Sequence, residues 1–209
     1  MTVSARLPVA PRPFRDELLS SWMARVAARY GAEPLDLMVY LVGQGGRDAG
    51  SRQRDDVAPD MEMLRLWAKA CRIDPERLRG RALAIRYLDR PRDWFLAETS
   101  PVCPLCFDAD VVAGRDTYLR GHWRLAEQVA CLEHRTMLLD RCPACRDRLQ
   151  ISFRILNDLV RPFCRKCDTI LTGGTGETEG AVKVDLDLPL VFHPAATGAW
   201  FVFTPIGAG

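Results

Sequence analysis

Seven of the chain's eight cysteines, together with His134, one of its three histidines, lie between residues 103 and 167. They form four short pairs, each with two intervening residues: Cys103 and Cys106, Cys131 and His134, Cys142 and Cys145, and Cys164 and Cys167. Two donors at this spacing can point inward from one tight turn and bind a single tetrahedral ion. Eight such donors therefore predict two closed zinc sites.

The order of the pairs favours a sequential assignment of the ligands. The first site would use Cys103, Cys106, Cys131 and His134, and the second would use Cys142, Cys145, Cys164 and Cys167. Eighteen residues separate the two pairs of the second site, which is typical of such sites, whereas 24 separate those of the first. An interleaved, cross-braced pairing is the alternative that the spacing leaves open.

Zinc accounts for these residues better than disulfides do. Disulfides suit an oxidising compartment, and the opening MTVSARLPVAPRPFRDE lacks the apolar core of a secretory signal peptide. A histidine that closes one quartet also has no role in a disulfide framework. Because both quartets are complete, neither leaves a coordination position open for a substrate, so we expect the metals to build the fold rather than to catalyse a reaction.

The composition is that of an ordinary globular protein. The chain has 209 residues, of which 48% are hydrophobic and 27% charged, enough for one medium or two small domains. No apolar run approaches a membrane span, so we expect a protein of the reducing cytoplasm with no membrane partner. Seven thiolates and two Zn²⁺ ions bring the formal charge from +2 to about −1, so bulk charge does not indicate nucleic-acid binding.

The region before these donors, residues 1–98, is predicted to be helical. An apolar stripe at helical spacing, ending before Gly31, predicts a first helix for which Asp16 is the candidate N-cap. A second helix is predicted from Pro34, with Leu35 facing inward. These stripes are explained by core packing alone.

A pair of helices is predicted next. Asp60 can cap a third helix, on whose apolar stripe Cys71 is a packed thiol rather than a ligand. Asp74-Pro75 then starts a fourth helix, as an N-cap followed by proline at the first helical position. Two helices joined by a short turn, the second rich in arginine, resemble a helix-turn-helix. The candidate DNA contacts are therefore Arg77, Arg79 and Arg81.

The predicted fold is a mainly α, helix-turn-helix-like N-terminal region followed by a tandem zinc-finger region with short strands over residues 99–172. A linker and a small β tail over residues 173–209 complete it. Alternation over residues 149–155 predicts a strand in the second finger. Tyr118, Trp123 and Leu125 are candidates to cover the first site, whereas His122 is placed outside the ligand set.

Two segments of the chain resemble TniQ, a family of zinc-containing proteins of bacterial transposons that is related to the target selector TnsD. The sequence PRPFRDELLSSWMARVAARYG resembles the family's opening helix, with its Glu-x-Leu-x-Ser-Trp pattern. The sequence TYLRGHWRLAEQVACLEHRTMLLDRCPAC resembles its central segment, which has an aromatic-Trp-Arg run, Cys-x-x-His, an apolar run and Asp-Arg-Cys-Pro-x-Cys. The four pairs also occur in the family's order, and the resemblance covers residues 7–172.

The resemblance implies a helix-turn-helix region and two zinc fingers that bind metal through the same eight residues. It also implies target selection in DNA recombination, in which a target site on DNA, or a DNA-bound complex, is linked to transposition proteins such as an ATPase regulator. The alternative is a zinc-stabilised scaffold for protein–protein contacts that does not touch DNA; a homodimer is compatible with either. We find no phosphate-binding glycine loop, activated nucleophile or acidic metal cluster, and expect no enzymatic activity.

Overall fold

The computed structural model describes residues 6–42, 55–95 and 100–173. The predicted β tail lies outside these ranges from residue 174 onward. None of the helices in the described part of the chain combines the length and the apolar character that a membrane span needs.

Three helices form the core of the N-terminal region: α1 (Leu19–Ala28), α2 (Pro34–Val42) and α3 (Met61–Cys71). Their buried faces meet around Trp22 and Trp67, whose ring centroids lie 5.8 Å apart in an edge-on arrangement. Both indoles are fully buried, and aromatic side chains of this size dominate the apolar area that a core removes from water. The helices are therefore held by tertiary packing, which short helices require in water.

The starts of α3 and α1 are stabilised in different ways. Asp60 caps α3 as predicted, because its carboxylate accepts a hydrogen bond of 2.8 Å from the Met63 N–H. The prediction of Asp16 as the cap of α1 is wrong, since Leu18 occupies the N-cap position and offers no side-chain acceptor. Asp56 takes over this role from a distant segment, accepting from the Ser20 N–H at 2.7 Å and from its hydroxyl at 2.6 Å.

Helix α2 is present as predicted, but its buried stripe is shifted. Leu35 is 45% exposed, whereas Leu37 and Met38 are buried against the rest of the core. The stripe that faces α1 and α3 starts at Pro34 and continues through Leu37, Met38 and Leu41, which is the spacing of one helical face. The prediction that Leu35 faces inward is therefore wrong.

The predicted fourth helix is divided into two short ones, α4 (Pro75–Arg79) and α5 (Leu83–Arg86). Helix α3 ends at Arg72, whose left-handed backbone (φ 54°) lets the Ile73 N–H reach the Ala68 carbonyl at 2.9 Å. The carboxylate of Asp74 then caps α4 by accepting from the Glu76 N–H. The order and the short turn of the predicted helix pair are present, with a second helix of only five residues.

A 3₁₀ turn at Arg92–Trp94 precedes the cysteine-rich region, which contains helix α6 (Pro104–Val112), a second 3₁₀ turn at Gly121–Arg124 and a β-hairpin. The strands are β1 (Ile151–Leu156) and β2 (Leu159–Cys164), which pair in antiparallel fashion. Asn157 and Asp158 connect them, both with positive φ, as a two-residue hairpin loop requires. The strand predicted over residues 149–155 is confirmed with shifted bounds.

The helical and cysteine-rich regions share a buried interface. Phe153 and Val160, on the hairpin, pack against Ala28 at the end of α1. The main chain also joins them, since the Leu18 N–H donates to the Leu119 carbonyl at 3.0 Å. The segment that leads into the first cluster is therefore held directly against α1.

Candidate metal centres

Three of the four donor pairs are built on the same backbone turn, which is called a knuckle below. In each, the N–H of the first cysteine donates to the carbonyl five residues later, and the N–H four residues later donates back to the cysteine carbonyl, at 2.8 or 2.9 Å. The residue that closes the turn has a left-handed backbone, a conformation that usually favours glycine. Here the closing residues are Arg135 (φ 51°), Arg146 (φ 64°) and Asp168 (φ 57°).

The first pair has a different support. Cys103 is the N-cap of α6 and Pro104 follows it at the first helical position, where a missing N–H costs nothing. Cys106 therefore lies one turn into the helix, with its N–H 3.1 Å from the Cys103 carbonyl. The helix start fixes both thiols on one side.

The first cluster brings together the donors of the first two pairs, all within 4.8 Å of one another. The Nδ1 atom of His134 lies 3.7 Å from Sγ of Cys103, 3.3 Å from Sγ of Cys106 and 3.5 Å from Sγ of Cys131. The sulfurs of Cys106 and Cys131 are 3.5 Å apart. All three cysteines are buried, with His134 partly exposed.

The second cluster brings together the donors of the last two pairs, again within 4.8 Å of one another. The Sγ atoms of Cys142 and Cys167 are 3.6 Å apart, and those of Cys145 and Cys164 are 3.9 Å apart. Cys142 and Cys164 are buried, but Cys145 is partly exposed and Cys167 is exposed. This cluster therefore lies at the surface.

Both clusters fit two zinc sites. A tetrahedron with zinc–sulfur bonds of about 2.3 Å has edges of about 3.8 Å, close to the separations in both clusters. These separations are much too long for disulfide bonds, and all eight cysteines have free thiols. The grouping agrees with the sequential assignment and not with the interleaved one.

Trp123 covers the first cluster as predicted. Its indole is fully buried in one core with the cluster's cysteines and packs edge-on against Phe107, at 5.7 Å between centroids. The guanidinium of Arg120 lies 4.9 Å from the Trp123 ring and pairs with buried Asp110 at 3.1 Å. The thiols of the first cluster are thus embedded in an aromatic and ionic core.

The other candidates for covering the first cluster lie elsewhere. Tyr118 stacks on Phe14 at 4.5 Å between ring centroids, and Leu125 belongs to a separate apolar cluster with Leu18. His122 is outside the ligand set, as predicted, with Nδ1 3.7 Å from a carboxylate oxygen of Asp16. Only Trp123 of the three predicted residues therefore belongs to the core of the first cluster.

Cys71 is a packed thiol, as predicted. It is buried in the helical core among the side chains of α3 and its neighbours, and it belongs to neither cluster. Burial raises the pKa of the Cys71 thiol to about 12, which keeps it protonated and unreactive.

The three arginines predicted to contact DNA differ in what they bind. Arg77 is exposed, and exposed Arg79 pairs with Glu76 across one turn of α4 at 3.1 Å. Arg81 is partly buried. Its guanidinium donates to main-chain carbonyls of the N-terminal arm, residues 6–18, which precedes α1. The acceptors are Pro13, Phe14 and Arg15. Burial lowers the pKa of Arg81. We infer that Arg81 anchors the arm, so its substitution would disturb folding as well as any DNA contact.

A buried ionic clamp was not anticipated from the sequence. Arg25 donates two hydrogen bonds to Glu17, at 2.7 and 2.8 Å, and a third to Asp116 at 2.9 Å. Burial raises the pKa of Glu17, although the guanidinium of Arg25 opposes the shift. Arg25 and Asp116 are 91 residues apart, and no local spacing indicates that they meet. The clamp ties α1 to the segment between the two donor pairs of the first cluster.

Comparison with known families identifies the chain. Residues 8–138 match the TniQ family model. This chain belongs to the TniQ family. A search of curated proteins finds no match. The TniQ match covers more than half of the chain and includes α1, the clamp and all four donors of the first cluster. The resemblance noted from the sequence is thereby confirmed over residues 8–138, and it associates the protein with transposition.

The Glu-x-Leu-x-Ser-Trp pattern of this TniQ chain has a structural role. Glu17 holds Arg25 and also accepts from the Phe14 N–H at 2.9 Å. The hydroxyl of Ser21 donates to Glu17 at 3.1 Å and accepts from the Leu119 N–H at 2.9 Å. Trp22 donates from Nε1 to the Pro11 carbonyl at 2.9 Å. The pattern therefore attaches two segments to one helix: the N-terminal arm and the segment between the two donor pairs of the first cluster.

Proposed function

We propose that this TniQ chain is a non-catalytic DNA-targeting adaptor that couples recognition of a target site to the transposition machinery. The observation that carries the proposal is the TniQ match over α1, the helix pair and the first cluster. In this role the zinc ions hold surfaces in place, and the surfaces contact DNA and transposition proteins such as an ATPase regulator.

The donor sets of the two clusters support a structural role for zinc. Each cluster offers four side-chain donors, which fill a tetrahedral zinc ion and leave no position for water or substrate. Catalytic zinc sites usually keep three protein ligands and an open position. An adaptor needs no such position, because its metals supply folding free energy to a region of short elements.

The exposed face of α4 supports a DNA contact in the helical region. Arg77 and Arg79 project into solvent, and α4 follows α3 after a three-residue turn, the arrangement expected of a helix-turn-helix. Substitution of both by glutamine should weaken DNA binding without unfolding the protein, because neither side chain is buried. Arg81 is left intact in this experiment because it holds the arm.

The direct test is a titration of zinc-loaded protein with random and candidate target duplexes at two salt concentrations. Phosphate contacts release counterions, so a DNA-binding adaptor should lose affinity steeply as salt increases. A preference for one duplex would identify a site selector. Absence of binding at the lower salt concentration would contradict direct DNA contact.

An exposed apolar surface favours the alternative, a zinc-stabilised scaffold that binds proteins only. Leu35, Val39 and Tyr40 of α2 are each at least 45% exposed, beside a cleft of about 300 Å³ between α2 and the N-terminal arm. Apolar surface of this kind marks protein contacts in many proteins. Binding to a transposition partner without binding to DNA would support the scaffold. Native mass spectrometry would show whether the protein does so as a monomer or as a homodimer.

A further inference from the structure

Positive charge is concentrated in residues 141–170, which hold the second cluster and the hairpin and are called the zinc ribbon below. This segment has seven basic and three acidic residues, whereas the other 179 residues have 22 basic and 24 acidic ones. Four thiolates and one Zn²⁺ would add a formal charge of −2. The loaded ribbon would therefore keep a formal charge of +2, while the rest of the chain is negative.

Two pairs of arginines lie directly opposite each other in the ribbon. Arg141 forms an isolated bridge with Arg148, and Arg154 pairs with Arg161 in the hairpin register. Like charges in directly opposed positions destabilise a sheet. Asp168 accepts from Arg154 at 2.6 Å and offsets part of this repulsion. The buried Nε of Arg161 finds no hydrogen-bond partner among the described residues.

The hairpin arginines lie on the face of the sheet that is turned away from α1. Directly opposed residues share a face of the sheet and successive residues alternate, so Arg154 and Arg161 lie opposite the face on which Phe153 and Val160 pack against α1. The guanidinium of Arg154 lies 5.2 Å from the Phe163 ring on this outer face. At about 3.3 Å per residue, the chain from Arg148 to Arg154 spans about 20 Å, equivalent to roughly six phosphates of one DNA strand.

Two other cations of the ribbon have acidic partners within the protein. Arg165 pairs with Glu33 at 2.6 Å, and Lys166 pairs with Asp147. These ion pairs connect the Cys164–Cys167 turn to Glu33, just before α2, and to the Cys142–Cys145 turn. The opposed arginine pairs bring positive charges together, with Asp168 offsetting part of the repulsion at Arg154, and a polyanion would relieve the remaining repulsion.

We propose that the arginine face of the zinc ribbon, defined by Arg141, Arg148, Arg154 and Arg161, contacts the phosphate backbone of duplex DNA without reading its sequence. The inference rests on the proposed DNA-targeting function and adds a second surface to α4. Guanidinium groups bind phosphate through paired hydrogen bonds, and such contacts set the position of a protein on DNA. The zinc of the second cluster would act by holding the two strands that carry the face.

The experiment measures binding of zinc-loaded full chain to a fluorescent random-sequence duplex at two salt concentrations. The variants are R141Q/R148Q and R154Q/R161Q, and the control is R65Q/K69Q, which removes the same charge from exposed positions on α3. Each ribbon variant should bind at least about fivefold more weakly and lower the slope of log affinity against log salt by about 2. The control should stay within about twofold of the parent.

Stability separates loss of contact from loss of fold. Because the substitutions remove like-charge repulsion, the ribbon variants should keep two zinc ions per chain and melt at or above the temperature of the parent. R141E, which places opposite charges across the bridge, should melt higher still and bind DNA more weakly. It also provides the test if a double variant does not fold.

Three outcomes overturn the inference. Ribbon variants that bind like the parent overturn it and leave the adaptor function standing, provided that R77Q/R79Q loses affinity. An equal loss in the R65Q/K69Q control also overturns it, because the effect would then be general electrostatics. A parent protein that binds no duplex at the lower salt concentration overturns both this inference and the proposed DNA contact.

Discussion

The two cysteine clusters are built on similar donor spacings but lie in very different surroundings. The first is buried in one core with Phe107 and Trp123, and the segment between its two donor pairs is bound to α1 through Asp116. The second lies at the surface, with Cys145 partly exposed and Cys167 exposed, and it holds two knuckles and a hairpin. Similar ligand motifs therefore support two different structural tasks.

The difference teaches where the binding free energy of each zinc ion would act. At the first cluster, metal binding would stabilise buried side chains that also contact the helical region. Loss of this zinc ion should therefore destabilise the helical region as well. At the second cluster two of the four donors reach the surface, so we expect the effect of metal loss to be largest within residues 141–170. Two apolar contacts reach beyond this segment. Cys142 and Cys164 share a core with Trp123, and Phe153 and Val160 belong to an apolar cluster with Ala28.

The largest effect is expected from C106S, which removes a buried donor from the first cluster. Metal binding at structural zinc sites supplies on the order of 10 kcal/mol of folding free energy, and the aromatic core cannot replace it. We expect the variant to lose the cooperative thermal unfolding transition of the whole protein, measured by circular dichroism. A cooperative transition with an unchanged midpoint would contradict the central position of the first cluster.

C145S is the matched change at the second cluster. We expect one zinc ion per chain, rapid proteolysis within residues 141–170 and an intact helical region, because Cys145 is partly exposed and lies outside the core of the three helices. Limited proteolysis with mass spectrometry gives the cleavage sites. Resistance equal to that of the parent, or cleavage throughout the helices, would remove the distinction between the two clusters.

R25M tests whether the helices and the first cluster fold as one unit. Removing one member of a buried ion pair leaves its partners uncompensated and costs about 3–5 kcal/mol. The matched control is R29M, because Arg29 pairs with the same Asp116 at 2.6 Å but is 24% exposed, and we expect about 1 kcal/mol or less from it. Urea unfolding gives both values, and equal losses would contradict the clamp.

The smallest effect is expected at the left-handed residues that close the knuckles. R135G at the first cluster and R146G at the second should each stabilise the protein by up to about 1 kcal/mol, because glycine adopts positive φ without strain. Thermal melting of the loaded protein measures both. A destabilisation by either variant would show that the arginine side chain contributes more than its backbone strain costs.

The cysteine spacing predicted the grouping of the donors, because Cys-x-x-Cys and Cys-x-x-His are local patterns that one turn can satisfy. Helix α3 and the start of α4 were predicted for the same reason, since Asp60 and Asp74 bind N–H groups two or three residues away. Information within a few residues was sufficient for these elements.

Features that depend on contacts between distant segments could not be predicted from local patterns. Asp56 replaces Asp16 at the start of α1 from 36 residues away, and Arg25 meets Asp116 across 91 residues. The difference in exposure between the two clusters has the same origin, because Trp123 covers only the first. The left-handed knuckle residues were missed because none of them is a glycine.

The order in which the two zinc ions leave the protein tests the central claim most directly. Zinc-loaded protein is mixed with a chromogenic chelator, and native mass spectrometry and hydrogen exchange are recorded as the metal is removed. The account predicts that a one-zinc species accumulates, with exchange increased only in residues 141–170 while α1 and residues 103–138 stay protected. Simultaneous loss of both ions, or loss of protection around Trp123 first, would contradict it.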